Sequence, residues 1–312
     1  GEALTLDGGR NRFADKADTA AQALLSGFKG YYTVALHVAD SISASDTVNA
    51  APEGSGYLAV TVGSGGSAKI AGALADGTKV SMASRLILFD GCGPEACVPF
   101  FLPLYSKTGW AGGLLWLMPG GTVVTDRDLG WYVRWEKPGI GPDGFSVLLD
   151  ADGGYYGTGA ALAAGYLFST DAGDIPFYYA DGTADAASEA LPEGIAVANE
   201  GGKLAMAKGV KSAAVDGEYD YSGVNSSLAT LSFTAKTGLF KGKFNLYYDY
   251  DLNGKPMHKT VSVPYAGIMT PVRSEDFTGK PAGQGHCLVP DNDPSVSAYK
   301  LKRSLPVMLE AE

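Results

Sequence analysis

Residues 228–269 constrain the fold more than any other stretch of the chain. Leu228, Leu231, Phe233 and Ala235 lead to Lys236-Thr237-Gly238, and a second apolar run, Phe240, Phe244, Leu246 and Tyr248, spans Gly242. Asn253-Gly254 then turns the chain into Thr260, Val261, Val263 and Tyr265. A near two-residue period places side chains on one face of a strand and scatters them around a helix. Short runs rich in β-branched and aromatic residues, separated by glycine turn pairs, predict an antiparallel meander.

The same pattern recurs upstream. Tyr32, Val34, Leu36 and Val38 alternate, 57–62 reads as a second strand, and a third runs from Ala68 and Ile70 to Leu74. Asp76-Gly77 predicts a hairpin into 79–89, and 112–117, 131–135 and 145–149 are further candidates. The apolar segment 98–105 contains Pro99 and Pro103, which argue against a central strand bonded on both sides. Before these strands, the alanines and leucines of 14–25 fit a short amphipathic helix ended by Gly27 and Gly30. In the second half, 162–169, 177–179, 195–197, 204–206, 285–289 and 307–309 read as strands and 186–190 as a helical turn.

So many strands leave edges that only closure or face-to-face packing can hide. The expected fold is all-β, with two tandem small antiparallel β-barrels, or alternatively β-sandwiches, behind a short N-terminal helix. A chain of 312 residues has room for two such domains. The expected division is a helical segment at 1–27, a first β domain at 28–154 and a second at 155–312, with a glycine-rich junction at 151–161. A faint internal repeat supports it: 57–88 and 228–268 both read strand, glycine turn, strand, Asp-Gly or Asn-Gly turn, strand. One continuous large sandwich is the other reading.

Charge narrows the partners. The formal net charge is -10, so a phosphate-backbone ligand would need a local basic patch. Lys236, Lys241 and Lys243 surround a hairpin and read as a solvated strand face, so nucleic acid is not expected. No apolar run approaches the roughly twenty residues of a membrane-spanning helix. The opening Gly1-Glu2-Ala3 lacks an initiating Met, which fits a chain whose leader has been removed.

Several segments resemble repeat units of uncharacterised exported proteins from the Verrucomicrobia and Lentisphaerae group of bacteria. The resemblance lies in Phe28-Lys29-Gly30-Tyr31-Tyr32-Thr33-Val34-Ala35-Leu36, in Gly56-Tyr57-Leu58-Ala59-Val60-Thr61-Val62, and in the ten residues from Lys69 to Thr78. The later Ala235-Lys236-Thr237-Gly238-Leu239-Phe240-Lys241-Gly242-Lys243-Phe244 looks like the matching signature of their second half. It covers roughly 14–119 and 228–308, with a weaker match over 130–156, and implies an extracellular or cell-surface setting beside other modules. It brings no catalytic residues.

Candidate sites are few. Cys92 and Cys97 flank a turn-rich segment short enough for a disulfide, with free thiols or metal ligation as the other readings. Trp110, Trp116, Trp131 and Trp135, with Tyr155, Tyr156, Tyr178 and Tyr179, could form an aromatic platform for sugars or peptides, or be core. Asp150 and Asp152, and Asp291 and Asp293, lie in oxygen-rich stretches expected to be loops, where calcium or plain turn chemistry are the alternatives. His286 beside Cys287 pairs two zinc-ligating or hydrolytic residue types, but strand alternation sends neighbours to opposite faces. His37 and His258 read as strand and turn residues, and Ser222, Ser226 and Ser227 lack a nucleophile elbow. No cofactor motif is present in this reading. The expected function is a non-catalytic extracellular or cell-surface structural or protein-interaction module. A carbohydrate-binding module comes second and a hydrolase third.

Overall fold

The computed structural model describes residues 12–39, 51–88, 96–118, 121–124, 132–139, 144–157, 161–170, 177–178, 184–185, 191–211, 221–252, 254–271, 280–290 and 302–312. The protein is all-β, with two large sheets and one α-helix among these residues.

The helix, α1 (Thr19–Phe28), begins later than the expected 14–25 and runs through Gly27. Asp18 sets the start by accepting the Ala21 amide at 3.0 Å, while Arg12 Nε holds the other carboxylate oxygen at 2.9 Å. Ala21, Leu25 and Phe28 form the buried stripe and join the core of the first sheet with Phe13.

The first sheet contains β1 (Gly30–Val38), β2 (Gly56–Val62), β3 (Ser67–Ala73), β4 (Lys79–Arg85), β5 (Ile87–Leu88), β6 (Ala96–Leu104), β7 (Gly109–Leu117), β8 (Thr122–Val124), β9 (Val133–Lys137) and β10 (Phe145–Tyr155). Its order is β4-β3-β2-β1-β10-β8-β7-β6-β5, with β9 also bridging β10 and β7, so β8 and β9 share one lane end to end. Only Leu86 separates β4, which pairs with β3, from β5, which pairs with β6. That bend brings the sheet round into a near-barrel. Along the rest of the join the Ser84 hydroxyl donates to the Pro99 carbonyl. In a strand the N–H and C=O of one residue point the same way, so Pro99 and Pro103 direct their missing donors at this seam. Meanwhile β6 pairs with β7 along its whole length.

Inside the barrel, alternate residues such as Tyr32, Val34, Leu58, Val60, Leu115 and Trp135 interdigitate. The expected junction at 151–161 is partly strand, because β10 continues through Tyr155. Its Gly153 admits β1 at close range: a Cβ there would lie 2.1 Å from the Thr33 carbonyl oxygen.

The second large sheet joins β11 (Gly165–Thr170), β14 (Ile195–Glu200), β15 (Lys203–Met206), β18 (Thr230–Thr234), β19 (Leu239–Leu252), β20 (Lys255–Thr270), β21 (Ala282–Pro290) and β22 (Lys302–Ala311) in the order β15-β14-β11-β22-β21-β20-β19-β18. Two minor hairpins, β12 (Phe177–Tyr178) with β13 (Ala184–Asp185) and β16 (Val210–Lys211) with β17 (Tyr221–Ser222), stand apart. The sheet curls until its edges approach, and Asn225 bridges them. Its amide donates to Ala207 O (2.7 Å) and Ala229 O (2.9 Å), and its oxygen accepts from Ala229 N (2.7 Å).

Phe168, Phe240, Phe244, Tyr265 and Leu309 centre a second, separate core. The meanders β2-β3-β4 and β18-β19-β20 follow the repeat seen in sequence, with β19 and β20 much longer than β3 and β4 and β18 shorter than β2. The 186–190 segment lies outside the described residues. Among those described, no helix is long and apolar enough to cross a membrane.

Candidate functional site

The polar groups converge where the two sheets meet. The outer face of β1 and β2 carries Tyr31, Thr33, Ala35 and Tyr57, because their neighbours Tyr32, Val34 and Leu58 fill the barrel. Against it lie β20 and β21. The segment before β2 crosses over β21 and β22, with Ser55 N donating to Gly285 O (3.0 Å) and Glu53 N to Ser304 O (3.1 Å). Only glycine fits between these anchors: a Cβ on Gly54 would stand 2.6 Å from His286 Cβ and 2.7 Å from Leu305 O.

His286 is 5% exposed, places Nδ1 2.9 Å from Ser55 O, and stacks on Tyr57 with ring centroids 6.0 Å apart. A carbonyl only accepts, so Nδ1 carries the proton. Burial lowers the histidine's pKa, opposed by the Ser55 carbonyl and then by Asp76. Nearby, Ser304 Oγ donates to Ala75 O (2.5 Å), and Arg303 pairs with Glu53 (3.1 Å). Farther along, Tyr31 OH donates to Thr237 O (2.9 Å), Tyr156 N to Tyr31 O (2.8 Å) and Tyr156 OH to Ala235 O (3.1 Å).

Ser304, His286 and Asp76 are the residue types of a hydrolytic triad, and only their first member gives a nucleophile. Here each is committed elsewhere. The serine donates to a backbone carbonyl, the histidine proton goes to another, and Asp76 accepts Thr78 N (2.9 Å) and Tyr105 OH (2.7 Å). The Tyr105 hydroxyl also accepts from Trp135 Nε1 at 3.0 Å, so this chain runs back into the first core. A triad instead needs the base bonded to the nucleophile and the acid bonded to the base. The arrangement is a clasp.

Among the described residues, Trp110, Trp116, Trp135, Tyr155 and Tyr156 do not share a platform. Trp135 and Tyr156 are buried in separate cores, and Trp116 is buried on the outer side of β7 opposite Cys97. Tyr155 is 50% exposed at the end of β10, edge-on to Tyr32. Tyr178 falls on β12, while Trp131 and Tyr179 lie outside the described residues.

Trp110 sits half-buried on the barrel's outer face, among partners that the sequence did not suggest. Phe101 lies 5.7 Å away centroid to centroid and 30° from parallel. Glu136 accepts the indole N–H at 3.1 Å, and Arg134 pairs with Glu136 at 2.5 Å and stands 6.0 Å over the indole ring. Strand alternation could have paired Phe101 with Trp110 had 105–108 been read as the turn between them.

The remaining candidates fall in several places. Cys97 is a free, fully buried thiol within β6, and Cys92, its expected disulfide partner, lies outside the described residues. Burial pushes its pKa up to about 12, and that of Cys287 likewise, leaving both thiols protonated. Asp150 and Asp152 sit in mid-strand on β10 rather than in a loop, with Ala151 between them facing the core. Asp291 and Asp293 lie outside the described residues. Cys287 faces the second core while His286 faces the clasp. His37 sits opposite Asp150, His258 is on β20, and Ser227 is buried beside Asn225. Among the described residues no group of three or more His, Cys, Asp or Glu is placed to hold a metal. No family model, curated protein or solved structure matches the chain.

Proposed function

We propose that the chain is a non-catalytic structural and protein-contact module of an extracellular or cell-surface protein, acting as a rigid two-part unit. The observation that carries this reading is the use made of its reactive side chains. His286, Ser304 and Tyr31 join one sheet to the backbone of the other. Groups that a catalyst would keep free are here holding two bodies in one relation. The interiors are filled by side chains, so contacts with a protein or glycan partner fall to outer faces. The extracellular setting rests on the sequence resemblance.

A hydrolysis screen over chromogenic glycosides and esters tests the reading, with wild type beside His286→Ala and Ser304→Ala. No turnover above buffer is expected from any of the three. Turnover by wild type that either substitution abolishes would overturn the proposal.

A further inference from the structure

On the first barrel's outer face, β6, β7, β9 and β10 lie side by side, away from the clasp. Their register sets Pro103, Trp110, Glu136 and Ser146 in one row across the strands, and Phe101, Gly112, Arg134 and Leu148 in the next. Gly112 has no side chain to stand between them, so the Phe101 ring lies down over it, within 2.9 Å of where a Cβ would be. The ring stays 60% exposed.

The result is a strip with two halves. One is apolar, made of Phe101 and Trp110, whose rings lie 5.7 Å apart and tilted by 30°. The other gathers a carboxylate, a guanidinium and a hydroxyl, with Arg134 Nη2 3.3 Å from Ser146 Oγ and Ser146 Oγ 3.5 Å from Glu136 Oε1. From β6 to β10 it spans three strand spacings, about 14 Å.

We infer that this strip binds a neutral saccharide chain laid across the strands, with sugar ring faces on Phe101 and Trp110 and hydroxyls on Arg134, Glu136 and Ser146. Pyranose rings pair an apolar C–H face with a rim of hydroxyls, and aromatic faces with adjacent hydrogen-bonding groups match both. Arg134 and Glu136 cancel in charge, so the strip selects against polyanions and polycations alike. The ion pair and the indole hydrogen bond fix the side chains before a ligand arrives, which keeps the ordering cost of binding low. A protein partner fits less well. A stable protein interface buries about 800 Å² per side around an apolar centre, and Phe101 is the one large, mostly exposed apolar side chain here among the described residues. This adds a ligand to the module and leaves the clasp reading independent.

The test is an array of neutral β-glucan, xylan and mannan hexasaccharides beside heparin and polyuronate oligosaccharides and a random peptide array, probed with the full chain. Wild type is expected to bind one or more neutral hexasaccharides and no charged chain. Phe101→Ala, a surface change, should weaken that binding by about tenfold or more. Glu136→Gln should weaken it too, while Tyr155→Ala leaves it unchanged and all variants melt with wild type. Silence on every neutral chain at millimolar concentration overturns the inference, as does binding indifferent to Phe101, binding to charged chains only, or Phe101-dependent binding to peptides alone.

Discussion

His286 shows how much a single residue is asked to do at the junction. Its folded-state pKa is depressed, chiefly by burial, so the folded protein binds its proton less readily than the unfolded chain does. The sign follows from linkage. Wherever the unfolded state holds more protons, stability rises with pH, so this group's contribution is complete above its ordinary value near 6.5. It is lost as pH falls from there toward the depressed value. The facing groups are the Ser55 carbonyl, Tyr57, Asp76 and, flanking them, Ser304 and the Arg303–Glu53 pair. Melting temperatures of wild type and His286→Gln, measured from pH 7.5 to 5, should differ in slope: wild type falls more steeply because glutamine has no proton to take up. Parallel profiles would show that another group governs acid sensitivity.

Among the elements, β6 makes the sharpest prediction because its two edges have different duties. Pro103 points its absent donor at the seam, so Pro103→Ala should change unfolding free energy by no more than about 1 kcal/mol in denaturant titration. Leu102→Pro, one residue earlier, removes a bond to β7 and should cost about 3 kcal/mol or more. A Leu102→Pro cost no larger than that of Pro103→Ala would mean that Leu102 makes no such bond to β7.

The strands themselves were readable, because period-two apolar runs and turn pairs are local signals: Tyr32, Val34 and Leu36 announce β1, and Asp76-Gly77 announces the bend into β4. The helix was displaced because its composition extends upstream of the cap that stops it, Asp18. The clasp was not readable. Ser55 and His286 are 231 residues apart, and nothing in either local pattern says that their strands will lie face to face. Trp110 was half legible: it was named as a candidate ring, but the expected strand began only at Gly112 where β7 begins at Gly109, and its partners come from β6 and β9, a lane order that is a property of the closed sheet.

For the whole molecule, the tight passage at Gly54 decides whether two cores behave as one. A valine there would collide with His286 and with the Leu305 backbone, neither of which can yield without moving β21 or β22. Wild type should unfold in a single calorimetric transition. Gly54→Val should split it into two, each core surviving without its neighbour, because the collision lies between the cores and inside neither. A single, lowered transition would instead mean that neither core stands alone.

The seams have a consequence of another kind. Where the Ser84 hydroxyl and the Asn225 amide stand in for ladder bonds, thermal breathing has a preferred place to begin, and backbone amides of β15 and β18 should exchange with solvent ahead of those in β21 and β22. A parted seam bares two raw strand edges, the starting point for polymerisation between copies. Lys203, Lys208, Lys241 and Lys243 stand exposed around that line in the second sheet, so two opened molecules would meet cation against cation.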